Sequence, residues 1–179
     1  MLAALMAAAV LAAGPVPALA APAPSAEYRI KAVFLFNFAQ FVEWPSRVFK
    51  GPTSPVVIGV LGQDPFGSYL DDLVKGEKIG ERPVLIRRYQ AGEDYTGCHL
   101  LFVTSAEAMH IDRIAARLQG RSVLTLGEGA AFCRQGGIVG FVMEHGKVRL
   151  RINLRAATSA DLTISSKLLT PATIVTGEK

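Results

Sequence analysis

The residues of this chain whose types suit short-range chemistry are three histidines, two cysteines and one glycine-rich turn. His99, His110 and His145 are scattered. No His-x-x-x-His pair and no Cys/His cluster supplies the convergent donors that zinc needs. Cys98 adjoins His99, the pairing of a thiol nucleophile with its base, but neighbours on a strand point to opposite faces. No Gly-x-Ser-x-Gly elbow presents a serine. Gly59-Val60-Leu61-Gly62-Gln63-Asp64-Pro65-Phe66-Gly67 follows an apolar run and opens a helical pattern, the position of phosphate-binding loops. It lacks both Gly-x-Gly-x-x-Gly spacing and a Gly-Lys-Ser/Thr pair. Asp64 would also place a negative charge where phosphate should sit, so a strand-to-helix turn capped by Asp64 is the simpler reading. No catalytic, metal or cofactor site is expected.

Two other groupings suit binding. Arg149, Arg151, Asn153 and Arg155 alternate with Val148, Leu150, Ile152 and Leu154, so one strand face is apolar and the other cationic. Such a face is either simply solvated or grips an acidic partner through charge-assisted hydrogen bonds. Phe34, Phe36, Phe38, Phe41 and Trp44 crowd one helical segment, either as core or as a surface packed across a dimer or partner. Cys98 and Cys133 permit one intramolecular disulfide, or stand as two small buried thiols.

The elements that hold these residues alternate. Residues 27–44 read as a helix with Ser25 as cap, Glu27 in its first turn and Pro45 as its stop; its apolar residues cover most of the circumference. Residues 56–61 are a continuous apolar run, the pattern of a strand covered on both faces. Asp64-Pro65 then opens a helix to about residue 74. Strands follow at 84–89 and 98–104, an amphipathic helix at 105–118, and a strand at 123–126. Residues 138–143 and 147–154 form a hairpin through Glu144-His145-Gly146. Residues 156–160 and 166–175 read as helices, Pro171 bending or ending the last. The expectation is an α/β fold, a largely parallel sheet flanked by helices with a C-terminal β-hairpin and terminal helices.

Residues 1–20 read as a cleavable signal peptide. An apolar stretch without charge is broken by Gly14, Pro15 and Pro17 and ends in Ala18-Leu19-Ala20, the small residues at −3 and −1 that a signal peptidase reads. No Lys or Arg precedes the apolar run. Residues 21–26 form a leader and 27–176 a single domain; roughly 160 residues beyond the signal suit one core. The 19 Lys and Arg against 15 Asp and Glu leave a net charge of +4. That mild excess, without a dense basic run, gives no indication of nucleic-acid binding.

An ordered set of motifs then resembles the YfiR-like periplasmic proteins. Glu27-Tyr28-Arg29-Ile30-Lys31-Ala32-Val33-Phe34-Leu35-Phe36-Asn37-Phe38 runs into Phe41-Val42-Glu43-Trp44-Pro45. Next come the Gly62–Gly67 turn, Cys98-His99-Leu100-Leu101-Phe102-Val103, Ser122-Val123-Leu124-Thr125-Leu126, and Phe132 with Gly136-Gly137-Ile138. Val148-Arg149-Leu150-Arg151-Ile152-Asn153-Leu154-Arg155-Ala156-Ala157 and the stretch 162–169 complete the set. The resemblance implies a dimeric α/β regulator without catalytic activity. It would repress an inner-membrane diguanylate cyclase through that enzyme's periplasmic sensor domain, lowering cyclic di-GMP and biofilm formation. An OmpA-like outer-membrane lipoprotein would sequester it. Phe38, Phe41, Trp44, Arg149, Arg151, Asn153, Lys167 and Val175 are then the candidate partner contacts. The prototype is richer in cysteine than this chain. A different expectation is a periplasmic small-ligand binder with its pocket at the carboxyl edge of the sheet, lined by the turns at 62–67 and 105–108.

Overall fold

The computed structural model describes residues 23–175; the expected signal peptide lies outside the described residues. The chain runs α1 (Ala26–Phe41), β1 (Val42–Glu43), a 3₁₀ turn (Ser46–Val48), β2 (Val56–Leu61), α2 (Ser68–Val74), β3 (Lys78–Ile79) and β4 (Arg82–Tyr89). It continues with β5 (Leu100–Val103), α3 (Ser105–Ala108), α4 (Ile111–Arg117), β6 (Leu124–Glu128), β7 (Val139–Glu144) and β8 (Lys147–Ile152). It closes with α5 (Leu154–Ser159), β9 (Thr163–Ile164), α6 (Ser166–Leu169) and β10 (Ala172–Ile174).

Eight strands form the main sheet in the order β10-β8-β7-β6-β5-β2-β4-β3. Strands β4, β2, β5, β6 and β7 are parallel; β8 runs antiparallel to β7, and β3 to β4. The mixed α/β architecture expected from the alternation is the one found. β2 is buried throughout because layers cover both faces. Val56, Ile58 and Val60 join Leu35, Phe38, Leu70 and Leu168 under α1, α2, α5 and α6. Val57 and Leu61 face Ile111, Ile114 and Phe132 on the other side. From β2 the chain passes to β4 on one flank, then returns to β5 on the other. This reversal makes the carboxyl ends of β2 and β5 a topological switch point.

Local chemistry moves several boundaries. α1 ends at Phe41 rather than Trp44: Val42 and Glu43 pair with Ile164 and Thr163, and the residue before Pro45 is driven from helical geometry. Asp64 caps no helix. Its Oδ1 accepts the Phe66 N–H at 2.8 Å, a turn that drives Phe66 fully into the core. Gly67 at φ 54° precedes α2. The helix expected at 105–118 is broken at Met109-His110, which re-aims α4 to bury Ile111, Ile114 and Leu118. The hairpin turn forms with His145 and Gly146 both at positive φ, as a two-residue connection requires. Beyond α6 the expected helix is absent. Pro171 stops it, and β-branched Thr173 and Ile174 continue as β10, parallel to β8.

Candidate functional site

The carboxyl end of the sheet carries a polar cluster drawn from three elements. Lys31 of α1, only 3 % exposed, donates from Nζ to Glu27 one turn earlier and to Glu128 at the end of β6. Ser105, at the start of α3, donates to the other Glu128 oxygen, and the Tyr28 hydroxyl reaches that oxygen at 3.5 Å. Burial opposes the Lys31 charge, yet the hydrogen bonds to Glu128 and Glu27 prevail and raise its pKa. Burial likewise pushes Glu128 up, and the Lys31 and Ser105 hydrogen bonds outweigh it to give a net lowering. Both groups therefore move away from neutrality, the reverse of a proton-transfer pair, whose pKa must approach the working pH. The cluster ties α1 to β6 as a partly buried ion pair.

At the switch point beside it, Thr104 and Glu107 pack against Gly62. Gly62, at φ 95°, leaves the room in which Thr104 sits; a Cβ there would overlap the Thr104 hydroxyl. Thr104 Oγ1 is buried without a hydrogen-bond partner among the described residues. Arg88 closes the adjacent 62–67 turn by bonding Asp64 at 2.7 Å, Gly67 O at 2.9 Å and Asp71. Further along this edge a groove of about 370 Å³ opens between Lys31, Glu128, Met143 and Arg151.

The opposite, amino end of the sheet is organised by His99. Its Nδ1 accepts the Val57 N–H at 3.1 Å. Phe49 stacks on the ring at 4.7 Å, and Trp44 meets it edge-on at 6.2 Å while donating its indole N–H to His99 O at 3.2 Å. Arg82 caps the stack, its guanidinium 3.7 Å above Phe49. Burial, reinforced by the Arg82 charge, depresses the His99 pKa to about 4, so the ring is neutral at physiological pH.

The residues considered for partner contact separate by exposure. Phe38 is fully buried in the core and Asn153 is 4 % exposed, so the expectation that they contact a partner is corrected. Asn153 instead caps α5 through the Ala156 N–H and donates to Cys133 O, both at 2.9 Å. Trp44 is half-buried and bound into the His99 stack. Phe41 is half-buried beneath Lys167, whose ammonium lies 5.0 Å from the ring. Arg149 is exposed; Arg151, on the same face, reaches Glu144 at 3.3 Å, with its Nε buried and unpartnered among the described residues. Val175 is half-buried, its N–H donating to Ile152 O at 2.9 Å. Ile30 and Val33 of α1 are 48 % and 40 % exposed, so that helix does leave an apolar edge uncovered.

The cysteines are free and buried, not bridged. Cys98 packs against Gly59 of β2 and Cys133 against Gly140 of β7. Those strands are three positions apart in the sheet, about 14 Å at ordinary strand spacing, well beyond the Cα separation a disulfide spans. Burial raises the thiol pKa values to about 12 and about 11.

A family model described as YfiR/HmsC-like matches residues 28–173. The chain belongs to the YfiR/HmsC-like family. The match runs from the first turn of α1 to the middle of β10, so it spans nearly all of the described residues. Membership in the YfiR/HmsC-like family suggests a regulator of a diguanylate cyclase rather than a catalyst, and a periplasmic setting. No helix among the described residues is long and apolar enough to cross a membrane. Among curated proteins, nothing matches the chain.

The family-like motifs have physical reasons here. Trp44 and His99 lock together two segments 55 residues apart. Phe132 lies between Gly127 and Gly137, either of whose Cβ atoms would overlap its ring. Sequence reasoning missed the Lys31–Glu128 pair, although one signal was present. A lysine within an aromatic-rich helical face is either an error in the face or the partner of a distant acid.

Proposed function

We propose that this protein is a periplasmic repressor that binds the periplasmic sensor domain of an inner-membrane diguanylate cyclase and lowers cyclic di-GMP and biofilm formation. The observation that carries the reading is the family match across residues 28–173. A protein in the periplasm cannot reach a cytoplasmic nucleotide. It acts by binding the inactive state of the receptor more tightly than the active one. An OmpA-like outer-membrane lipoprotein would relieve repression by competing for the repressor, which works as a homodimer. The groups available for these contacts are the exposed Ile30/Val33 edge of α1, exposed Arg149 and half-buried Arg151 on β8, and Lys167 over Phe41. The charged members suit an acidic partner loop through charge-assisted hydrogen bonds.

The test is deletion followed by complementation. Loss of the gene raises cyclic di-GMP, and the wild-type chain restores it. Arg149→Glu, on an exposed position, weakens complementation while its unfolding free energy stays within about 0.5 kcal/mol of wild type. Unchanged cyclic di-GMP on deletion, with every cyclase of the host assayed, refutes the reading.

A second reading, periplasmic binding of a small ligand at the carboxyl edge, has one observation in its favour. The groove beside Lys31 and Glu128 is lined by Arg151, whose buried Nε has no partner among the described residues. Thermal stabilisation by a small molecule, lost in Arg151→Ala, would favour it.

A further inference from the structure

At the amino end of the sheet, opposite the switch point, a cleft of about 360 Å³ opens where the chain enters β5 and β6. Arg47, Lys50 and Arg121 line it together with His99 and Ser122, and no aspartate or glutamate does. Arg47 is engaged, its guanidinium 2.6 Å from Asp161. Lys50 and Arg121 have no carboxylate within ion-pair distance among the described residues. The cleft therefore presents two unneutralised cations.

Its floor carries two neutral donors. His99 and Ser122 are 8 % and 6 % exposed. Because the Val57 N–H occupies Nδ1 of His99, the hydrogen of the neutral ring is carried by Nε2. Neither that N–H nor the Ser122 hydroxyl has a hydrogen-bond partner among the described residues. Both residues line the cleft, and the described residues supply no acceptor for either donor. The Trp44–Phe49–Arg82 stack fixes the imidazole, so its donor is preorganised rather than recruited.

We propose that this cleft binds a dianionic phosphate group, as free phosphate or as a small phosphate monoester. Two free cations match its charge, and its oxygens accept from Lys50, Arg121, His99 Nε2–H and Ser122 Oγ–H. A monocarboxylate offers one charge and two oxygens, so it leaves part of the set unmatched. The site lies at the edge of the sheet away from the groove lined by Arg151, and its occupancy is read without any cyclase.

The experiment is calorimetric titration of the full chain with inorganic phosphate, glycerol 3-phosphate and acetate at matched ionic strength. Saturable one-to-one binding is expected for at least one phosphate, at least tenfold tighter than for acetate. Tighter binding of glycerol 3-phosphate identifies a monoester as the source, and the reverse order identifies free phosphate. Lys50→Glu and Arg121→Glu each weaken binding at least tenfold, and Ser122→Ala several-fold. Lys147→Glu, the same charge change at the exposed hairpin, leaves it unchanged. Arg121→Gln, of near-neutral effect on folding, gives the same direction should a reversed charge disturb the turn. Phosphate binding no tighter than acetate, or an equal loss in Lys147→Glu, overturns the proposal.

Discussion

Lowering the pH from 7.5 to 4 should unfold this protein partly through one imidazole. In the folded chain His99 is buried against Phe49 and Trp44, takes the Val57 N–H on Nδ1 and faces the Arg82 charge, with Arg47, Lys50 and Arg121 around the adjoining cleft. Burial first, and then Arg82, hold its pKa at about 4, against an ordinary value of 6.5. The unfolded chain consequently takes up a proton first as pH falls. The stabilisation is fully present above about pH 6.5, declines between 6.5 and about 4, and levels off below that. At 1.36 kcal/mol per pH unit the loss is about 2 kcal/mol at pH 5 and about 3 kcal/mol at pH 4. Against a typical domain stability of about 5–15 kcal/mol, that is a large fraction. Urea unfolding followed by fluorescence of Trp44, the single tryptophan, reads the loss at the ring that touches His99. In His99→Gln the amide oxygen can still accept from Val57 but cannot titrate. This variant is less stable than wild type at pH 7.5, yet loses about 3 kcal/mol less on acidification. Groups such as Glu128 titrate alike in both proteins and cancel in the comparison. Parallel pH dependences in the two proteins would refute the reasoning.

Other perturbations test the remaining geometry. Lys31→Met leaves the half-buried Glu128 carboxylate without its cation and should cost about 3–5 kcal/mol in urea unfolding, whereas Lys31→Met combined with Glu128→Leu recovers much of that loss. Gly127→Ala drives a methyl into the Phe132 ring and should cost about 1–3 kcal/mol, seen as a lower melting temperature. The thiols, buried and with pKa values raised to about 12 and about 11, should resist a thiol-specific disulfide reagent in the native protein. Both should react in urea without prior reduction; fewer than two titrated thiols in non-reducing urea would show that they had been bridged.

The sequence carried the layered architecture because its strongest signals are local. The unbroken run of β2 forecasts a strand covered on both faces, and the Glu144-His145-Gly146 turn forecasts the hairpin. Boundaries failed where a distant contact outweighed local pattern. Val42 leaves α1 to pair with Ile164, Phe66 is pulled into the core and delays α2, and Thr173 and Ile174 pair with β8 rather than extend a helix.

The same division holds for the functional surfaces. Periodicity placed Arg149 and Arg151 together on one strand face, since alternation is a property of the backbone itself. It could not separate Phe41 from Phe38, because burial depends on which layer covers a helix. Nor could it show that Cys98 and Cys133 sit under different strands, that Lys31 meets Glu128 across 97 residues, or that His99 and Ser122 share a cleft with Lys50 and Arg121. The α/β domain, its approximate strands and its family-like motifs were legible in the residues alone, since each rests on types and spacings short enough to act locally. Tertiary structure alone decided which charges are paired, which donors lack an acceptor and which aromatics reach the surface. Those outcomes depend on distances between segments that only the folded sheet order sets.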